Sequence, residues 1–179
     1  PDLATIQLAR STELAHLCTE AGDREIFSVA SFHRAIVSYL AGRPDDLVEA
    51  MTDLHRAAES LGQPWHTYFA GCLAQGRAFC QGDYAQAEQR AAATLQLGQA
   101  FGVDSTDGSY GVQMFMIHRE TGRLDVARRH LTGRETFAGR WPAGLLALYT
   151  ELGVTEGVRR TLRHLLDTNF AGRITDAQW

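Results

Sequence analysis

Glycine recurs at a fixed interval of 20 residues along most of this chain. The stretches between successive glycines carry apolar residues at helical spacing and are long enough for about four turns of helix plus a connection. A glycine just past a helix adopts the left-handed conformation without the steric cost that a Cβ would add. The interval therefore predicts helices that alternate with glycine turns. The glycines of this interval are Gly22, Gly42, Gly62, Gly82, Gly102 and Gly122.

Two successive helices and their turns form a repeating unit of 40 residues. Units of two antiparallel helices are typical of an α-solenoid, in which each unit packs on its neighbours. We therefore predict an all-α fold, a right-handed α-α superhelix of about four helix pairs in a single domain. The first helix corresponds to the second half of a unit, so the chain, which begins at Pro1, is expected to be a fragment of a longer protein. The predicted segments are a half repeat at 1–22, repeats at 23–62, 63–102, 103–140 and 141–167, and a tail at 168–179.

Within the first complete unit, the two helices differ in their apolar pattern. Asp23 is a suitable N-cap for a first helix that is apolar on most sides, and such a helix is expected to be buried between its neighbours. Pro44 suits the first turn of the second helix, because its missing N–H would be unpaired there anyway. That second helix carries one apolar stripe and an opposite polar face, which predicts one inner and one outer helix in each unit.

The composition argues against several classes of function. The net charge of −4 argues against a dedicated nucleic-acid surface, and no apolar run approaches the length of a membrane span. The 3 cysteines lack the spacing of a disulfide framework or of a zinc site. We therefore expect a cytoplasmic protein with no metal site and with neither nucleic acid nor membrane as a direct partner.

The sequence also lacks the common signatures of enzymes. Glycine-rich nucleotide loops, the zinc-protease motif HExxH and the serine-hydrolase motif GxSxG do not occur in it. All 17 basic residues are arginine, and the absence of lysine excludes a P-loop and Schiff-base chemistry within this chain. We expect a non-catalytic protein without a cofactor.

Histidines and aromatic residues of the inner helices are the candidates for a binding surface. They lie where the concave face of a solenoid would form, and solenoids bind extended peptides or partner helices on that face. Two alternatives stay open: the histidines are semi-buried with satisfied hydrogen bonds, and the rings all belong to the core. The candidate concave-face residues are His33, Tyr39, His66, Tyr68, Tyr110 and His118, and the other rings of the inner helices include Phe32, Trp65, Phe69 and Phe115.

Two turns of the chain resemble those of tetratricopeptide repeats. They are Gly82-Asp83-Tyr84-Ala85-Gln86-Ala87 and Gly122-Arg123-Leu124-Asp125-Val126-Ala127. In that family a glycine turn enters the second helix, whose small alanine lets the paired helices approach closely. The 40-residue period departs from the usual period of about 34.

The 40-residue unit is similar to the C-terminal repeat region of large bacterial signalling regulators. That region shows short sequence segments similar to Leu61-Gly62-Gln63-Pro64. Those regulators place such repeats after an ATPase module and carry a nucleotide-cyclase domain or a LuxR-type DNA-binding domain. The resemblance implies a tetratricopeptide-like solenoid with a role in signalling or transcription regulation. It transfers no catalytic residue to this chain.

Three hypotheses of function are consistent with the sequence. The first is a non-catalytic module that binds a protein, a peptide or a small effector on its concave face and passes that event to attached signalling domains. The second is a structural module that self-associates, because solenoid ends without polar caps expose apolar faces. The third, a remote alternative, is an enzyme on a helical scaffold.

Overall fold

In the computed structural model, the described residues are 3–103, 106–126 and 142–168. These ranges are helical between their turns and contain no strand, so the prediction of an all-α fold is confirmed for them. The predicted remainder of the third repeat over 127–140 and the tail from 169 onward lie outside the described residues. The helices are α1 (Leu3–Ala21), α2 (Arg24–Leu40), α3 (Pro44–Leu61), α4 (Pro64–Cys80), α5 (Tyr84–Ala100), α6 (Thr106–Glu120), α7 (Pro142–Glu151) and α8 (Thr155–Asp167).

The chain divides into two compact units, Pro1–Gln113 and Met114–Trp179. In the first unit, α2 packs on α1 and on α3, α3 packs on α4, and α4 packs on α5. In the second unit, α7 packs on α8. From α1 to α5, helices that follow each other in sequence are thus also neighbours in space. The prediction of a single repeat domain, with its internal boundaries, stays a prediction.

Glycine ends the helices where the interval predicts. The six interval glycines have positive φ angles between 60° and 77°, and Gly153, which precedes α8, has a φ of 64°. At the turn after α4, the Gly82 N–H donates to the Phe79 carbonyl at 3.0 Å, and the Asp83 N–H donates to the Ala78 carbonyl at 3.0 Å. These bonds pair carbonyls that the end of α4 leaves without an intrahelical donor.

The predicted helix starts are also confirmed. The Asp23 carboxylate accepts a hydrogen bond of 3.0 Å from the Ile26 N–H at the start of α2. Asp83 repeats this arrangement one and a half units later, where its carboxylate accepts from the Gln86 N–H at 3.0 Å. Pro44 is the first residue of α3, which is the position predicted for it.

The core of the first unit consists mainly of small side chains. Alanine and serine occupy much of the buried face of α2, because they let this helix approach its neighbours closely. As predicted, α2 lies between neighbouring helices and packs on α1 and α3, but several of its large apolar side chains are exposed. The exposed apolar residues of α2 are Ile26, Val29, Tyr39 and Leu40, and the fully buried alanines of this unit are Ala30, Ala35, Ala50, Ala87 and Ala91.

A buried arginine joins α2 to α3. The Arg34 guanidinium lies 2.6 Å from a carboxylate oxygen of Glu49 and 3.4 Å from one of Asp53. Burial raises the pKa of the Asp53 carboxyl, and the charge of Arg34 opposes that rise. The pairing sets the register of the two helices, because a slip of one turn would leave a buried charge without its partners.

The glycine turns can be tested with a matched pair of alanine substitutions in and beside one turn. We expect Gly82→Ala to lower the free energy of unfolding by about 1–2 kcal/mol, because alanine is strained at the φ of 77° found there. Gly76→Ala, inside α4, is expected to raise it by up to about 1 kcal/mol, because a Cβ there meets no atom within 4 Å. Urea unfolding of both variants measures the difference. Equal effects would show that the turn does not depend on the left-handed conformation.

Candidate functional site

An aromatic cleft lies between α2 and α4 in the first unit. Its volume is about 140 Å³, and Leu54 of α3 also lines it. The rings of the cleft are Phe32 from α2 and Trp65 and Phe69 from α4. Because Trp65 and Phe69 are four residues apart, they lie on one face of α4 and reach the cleft together. We call this site the aromatic cleft.

The three rings of the aromatic cleft are held edge to face. The centroid of Phe69 lies 4.2 Å from that of Trp65 and 4.9 Å from that of Phe32, with interplanar angles of 62° and 74°. Such pairs contribute about 0.5–1.5 kcal/mol beyond the burial of their area. Trp65 is nevertheless 52% exposed. The cleft therefore presents one large, orientationally fixed ring to solvent.

A buried hydrogen bond lies on the polar side of the aromatic cleft. The hydroxyl of Ser28 lies 2.7 Å from Nδ1 of His66, and both side chains are buried. The two residues are 38 positions apart, so this bond ties the inner helix of one predicted repeat to the inner helix of the next. His33, which is exposed, completes the polar lining.

A serine hydroxyl bonded to an imidazole is also the arrangement that activates a nucleophile. Activation further requires a group that orients the imidazole and an accessible hydroxyl. Within the described residues, no carboxylate is hydrogen-bonded to His66, and Ser28 is fully buried. In this geometry the Ser28–His66 bond supports packing between two helices.

The six candidate concave-face residues separate into two groups. His33 and Tyr39 are exposed and Tyr110 is half-buried, so a binding role for these three stays a prediction. His66, Tyr68 and His118 are buried. They do not have the solvent-facing surface that the prediction required of them. Of the six candidate residues, the aromatic cleft brings together His33 and His66.

The burial of Tyr68 has a specific cause. Its ring packs where α5 ends and α6 begins, so that a Cβ added to Gly98 would lie 2.8 Å from a ring carbon. Burial raises the pKa of the Tyr68 phenol and, one turn further along α4, the pKa of the Cys72 thiol. Tyr68 is therefore a core residue of the first unit.

Tyr39 lies at the other end of α2 from the aromatic cleft. The thiol of Cys80 donates a hydrogen bond of 3.6 Å to its hydroxyl, and this bond raises the pKa of Tyr39. The contact joins the C-terminal ends of α2 and α4. Tyr39 and His33 thus lie on one helix but in separate surroundings.

Ser28 was not among the residues that the sequence singled out. The available signal was its position, because it precedes His66 by nearly one repeat of 40 residues and so occupies a similar place in the neighbouring inner helix. Serine at a core-facing position of a helix also needs a local or a tertiary partner. These two observations together could have indicated the bond.

Within the described ranges, no helix has the length and apolar character to cross a membrane, and no group of three or more His, Cys, Asp or Glu residues is placed to hold a metal ion. No protein-family model matches the sequence, and a comparison with curated proteins finds no significant match.

The Ser28–His66 bond predicts a difference between two serines of α2. We expect Ser28→Ala to lower the free energy of unfolding by about 1–3 kcal/mol, because it leaves the buried Nδ1 of His66 without a partner. Ser31→Ala is the control, since the equally buried Ser31 hydroxyl donates only to the Phe27 carbonyl of its own helix, at 2.9 Å. Its cost is expected to stay below about 1 kcal/mol. Chemical denaturation measures both values, and a control loss as large as that of Ser28→Ala would contradict the role of the bond.

Proposed function

We propose that this chain is a non-catalytic repeat module that binds a peptide segment of a protein partner, with the aromatic cleft as the anchoring site. The observation that carries the proposal is the state of Trp65, which is 52% exposed and yet held by Phe69 at a centroid distance of 4.2 Å. A fixed aromatic ring binds with little loss of conformational entropy, and tryptophan is enriched among residues that dominate binding energy.

The dimensions of the aromatic cleft favour a side chain as its occupant. A volume of about 140 Å³ is below the usual range for drug-sized ligands, about 300–1,000 Å³. One apolar or aromatic side chain of a peptide fits this space and would pack on Phe32 and Phe69. His33 at the edge of the cleft offers a polar contact to the backbone of that peptide.

A tetratricopeptide-like right-handed superhelix is part of the proposal. It is supported by the glycine turns, by the packing of successive helices and by the complete burial of Ala87 in the turn that resembles the family. In such an array the aromatic cleft lies between the inner helices of adjacent repeats, which is where solenoids bind extended segments. We further propose a cytoplasmic bacterial signalling or transcription regulator as its setting, in which peptide binding biases the attached domains.

A second candidate function is self-association through α1. Four large apolar residues of this helix are exposed, and they fall within an arc of about 80° at 100° per residue. From Ser11 onward, the neighbouring face of α1 is buried and α1 packs on α2. A second copy of the chain could cover the exposed stripe by pairing α1 with α1. The four residues are Leu3, Ile6, Leu14 and Leu17.

Peptide binding at the aromatic cleft is tested by substitution of its exposed ring. Peptides selected from a random displayed library against the full chain are titrated by calorimetry. We expect them to carry an aromatic or branched apolar residue, and we expect Trp65→Ala to weaken their binding by at least about thirtyfold. Trp65→Phe is expected to retain most of the affinity, because it keeps a ring against Phe69.

The control for Trp65→Ala is Phe101→Ala. Phe101 is 55% exposed, which matches Trp65, but it follows α5 and does not line the cleft. Thermal unfolding followed by circular dichroism checks that both variants keep their fold. Peptide affinity that Trp65→Ala leaves unchanged, or that Phe101→Ala reduces equally, would contradict the assignment of the aromatic cleft.

Self-association is tested by sedimentation velocity over a concentration series up to the high micromolar range. We expect the chain to form dimers that the double variant Leu14→Glu, Leu17→Glu abolishes, because charge on the stripe is costly to bury. Leu40→Glu, at another exposed leucine, is the control and should leave the dimer intact. A wild-type chain that stays monomeric throughout would rule out this second function.

A further inference from the structure

A second cavity of the first unit lies nearer the C-terminal end of α4. Its volume is about 440 Å³, and side chains from α3, α4 and α5 line it. The guanidinium-bearing residues are Arg56 of α3, Arg77 of α4 and Arg90 of α5. Leu73 and other apolar side chains of α3 and α4 line it as well, together with Thr52, His55 and Glu59. We call this site the arginine groove.

The charge of the arginine groove is not balanced by the residues that line it. Among those residues, Glu59 alone carries a carboxylate, and its oxygen lies 3.4 Å from Nε2 of His55. Arg90 donates to the uncharged Gln86 amide at 3.1 Å. The three arginines therefore face the groove with one carboxylate between them.

The two remaining arginines differ in their partners. Arg56 lies 3.4 Å from a carboxylate oxygen of Asp53, but Asp53 also pairs with the buried Arg34. Arg77 is half-buried, and within the described part of the chain its guanidinium has no hydrogen bond or ion pair. A cation in the last turn of a helix is favoured by the helix dipole. That effect does not account for the convergence of Arg56 and Arg90 on the same cavity.

We propose that the arginine groove binds a small organic anion with at least two negative charges and an apolar body. Guanidinium groups bind carboxylate and phosphate through paired hydrogen bonds, and Arg77 is available for this. The apolar lining around Leu73 receives the body of the ligand. The volume lies within the range of small-molecule sites.

The arginine groove does not depend on the function proposed for the aromatic cleft. The two cavities share Leu54 but no polar side chain. A substitution in the arginine groove is therefore expected to change anion binding without changing peptide binding. Trp65→Ala is the reference variant and is expected to leave anion binding unchanged.

The test uses pyrenetetrasulfonate, a fluorescent ring with four sulfonates, titrated into the full chain and followed by anisotropy. We expect saturable binding that Arg77→Ala weakens by about tenfold to a hundredfold. The affinity of Arg77→Lys for the probe is expected to lie between those of the wild type and Arg77→Ala, because lysine keeps the positive charge but lacks the planar guanidinium. Thermal unfolding of Arg77→Ala is expected to match the wild type, which separates lost binding from lost folding.

Arg24→Ala is the matched control, since Arg24 is an exposed arginine at the start of α2 and does not line the groove. Unchanged affinity in Arg77→Ala, or an equal loss in Arg24→Ala, would overturn the proposal in favour of general charge attraction. Competition with pyrophosphate and with citrate distinguishes a phosphate ligand from a carboxylate ligand. If neither pyrophosphate nor citrate displaced the probe at a hundredfold excess, the proposal would also be overturned, because the pyrene ring and not the sulfonates would then hold the probe.

Discussion

The close approach of neighbouring helices is the constraint on which the rest of this structure depends. Gly98 shows it most directly: a Cβ there would collide with the Thr106 hydroxyl and would lie 2.8 Å from the Tyr68 ring. Similarly, a Cβ on Gly71 would lie 2.9 Å from the Thr94 hydroxyl. Helices this close leave room in their seams for glycine, alanine and serine but for few large side chains. Leu54 and Tyr68 are among the few large side chains buried there, whereas Trp65 is 52% exposed.

A seam of small side chains does not by itself fix how far one helix slides along another, because alanine in one turn can replace alanine in the next. Directional interactions have to supply that information. Arg34 does so between α2 and α3, through Glu49 and Asp53. The Ser28–His66 bond does so between α2 and α4. The polar group of the aromatic cleft is thus also one of the contacts that align these helices, which couples the shape of the cleft to the packing of α2 and α4.

The sequence predicted the helix ends because they depend on local chemistry. A left-handed glycine such as Gly82 and a capping carboxylate such as Asp83 act within a few residues, so their spacing alone indicates them. The rotation of each helix about its axis is not local. On α4, Trp65 and Phe69 share one face, whereas Tyr68 is turned by about 100° from Phe69 and enters the core. Apolar residues on several faces left this rotation open, which is why Tyr68 was predicted at the surface.

The arginine groove was beyond sequence reasoning for a different reason. Arg56, Arg77 and Arg90 belong to three helices and show no periodic spacing, so only the stacking of α3, α4 and α5 brings them to one cavity. In a chain whose basic residues are all arginine, no single one of them is conspicuous. Once α4 is packed, its first turns present rings to one cavity and its last turn presents a guanidinium to another. A single helix, α4, thereby lines two cavities of different character, and Leu54 of α3 contributes to both.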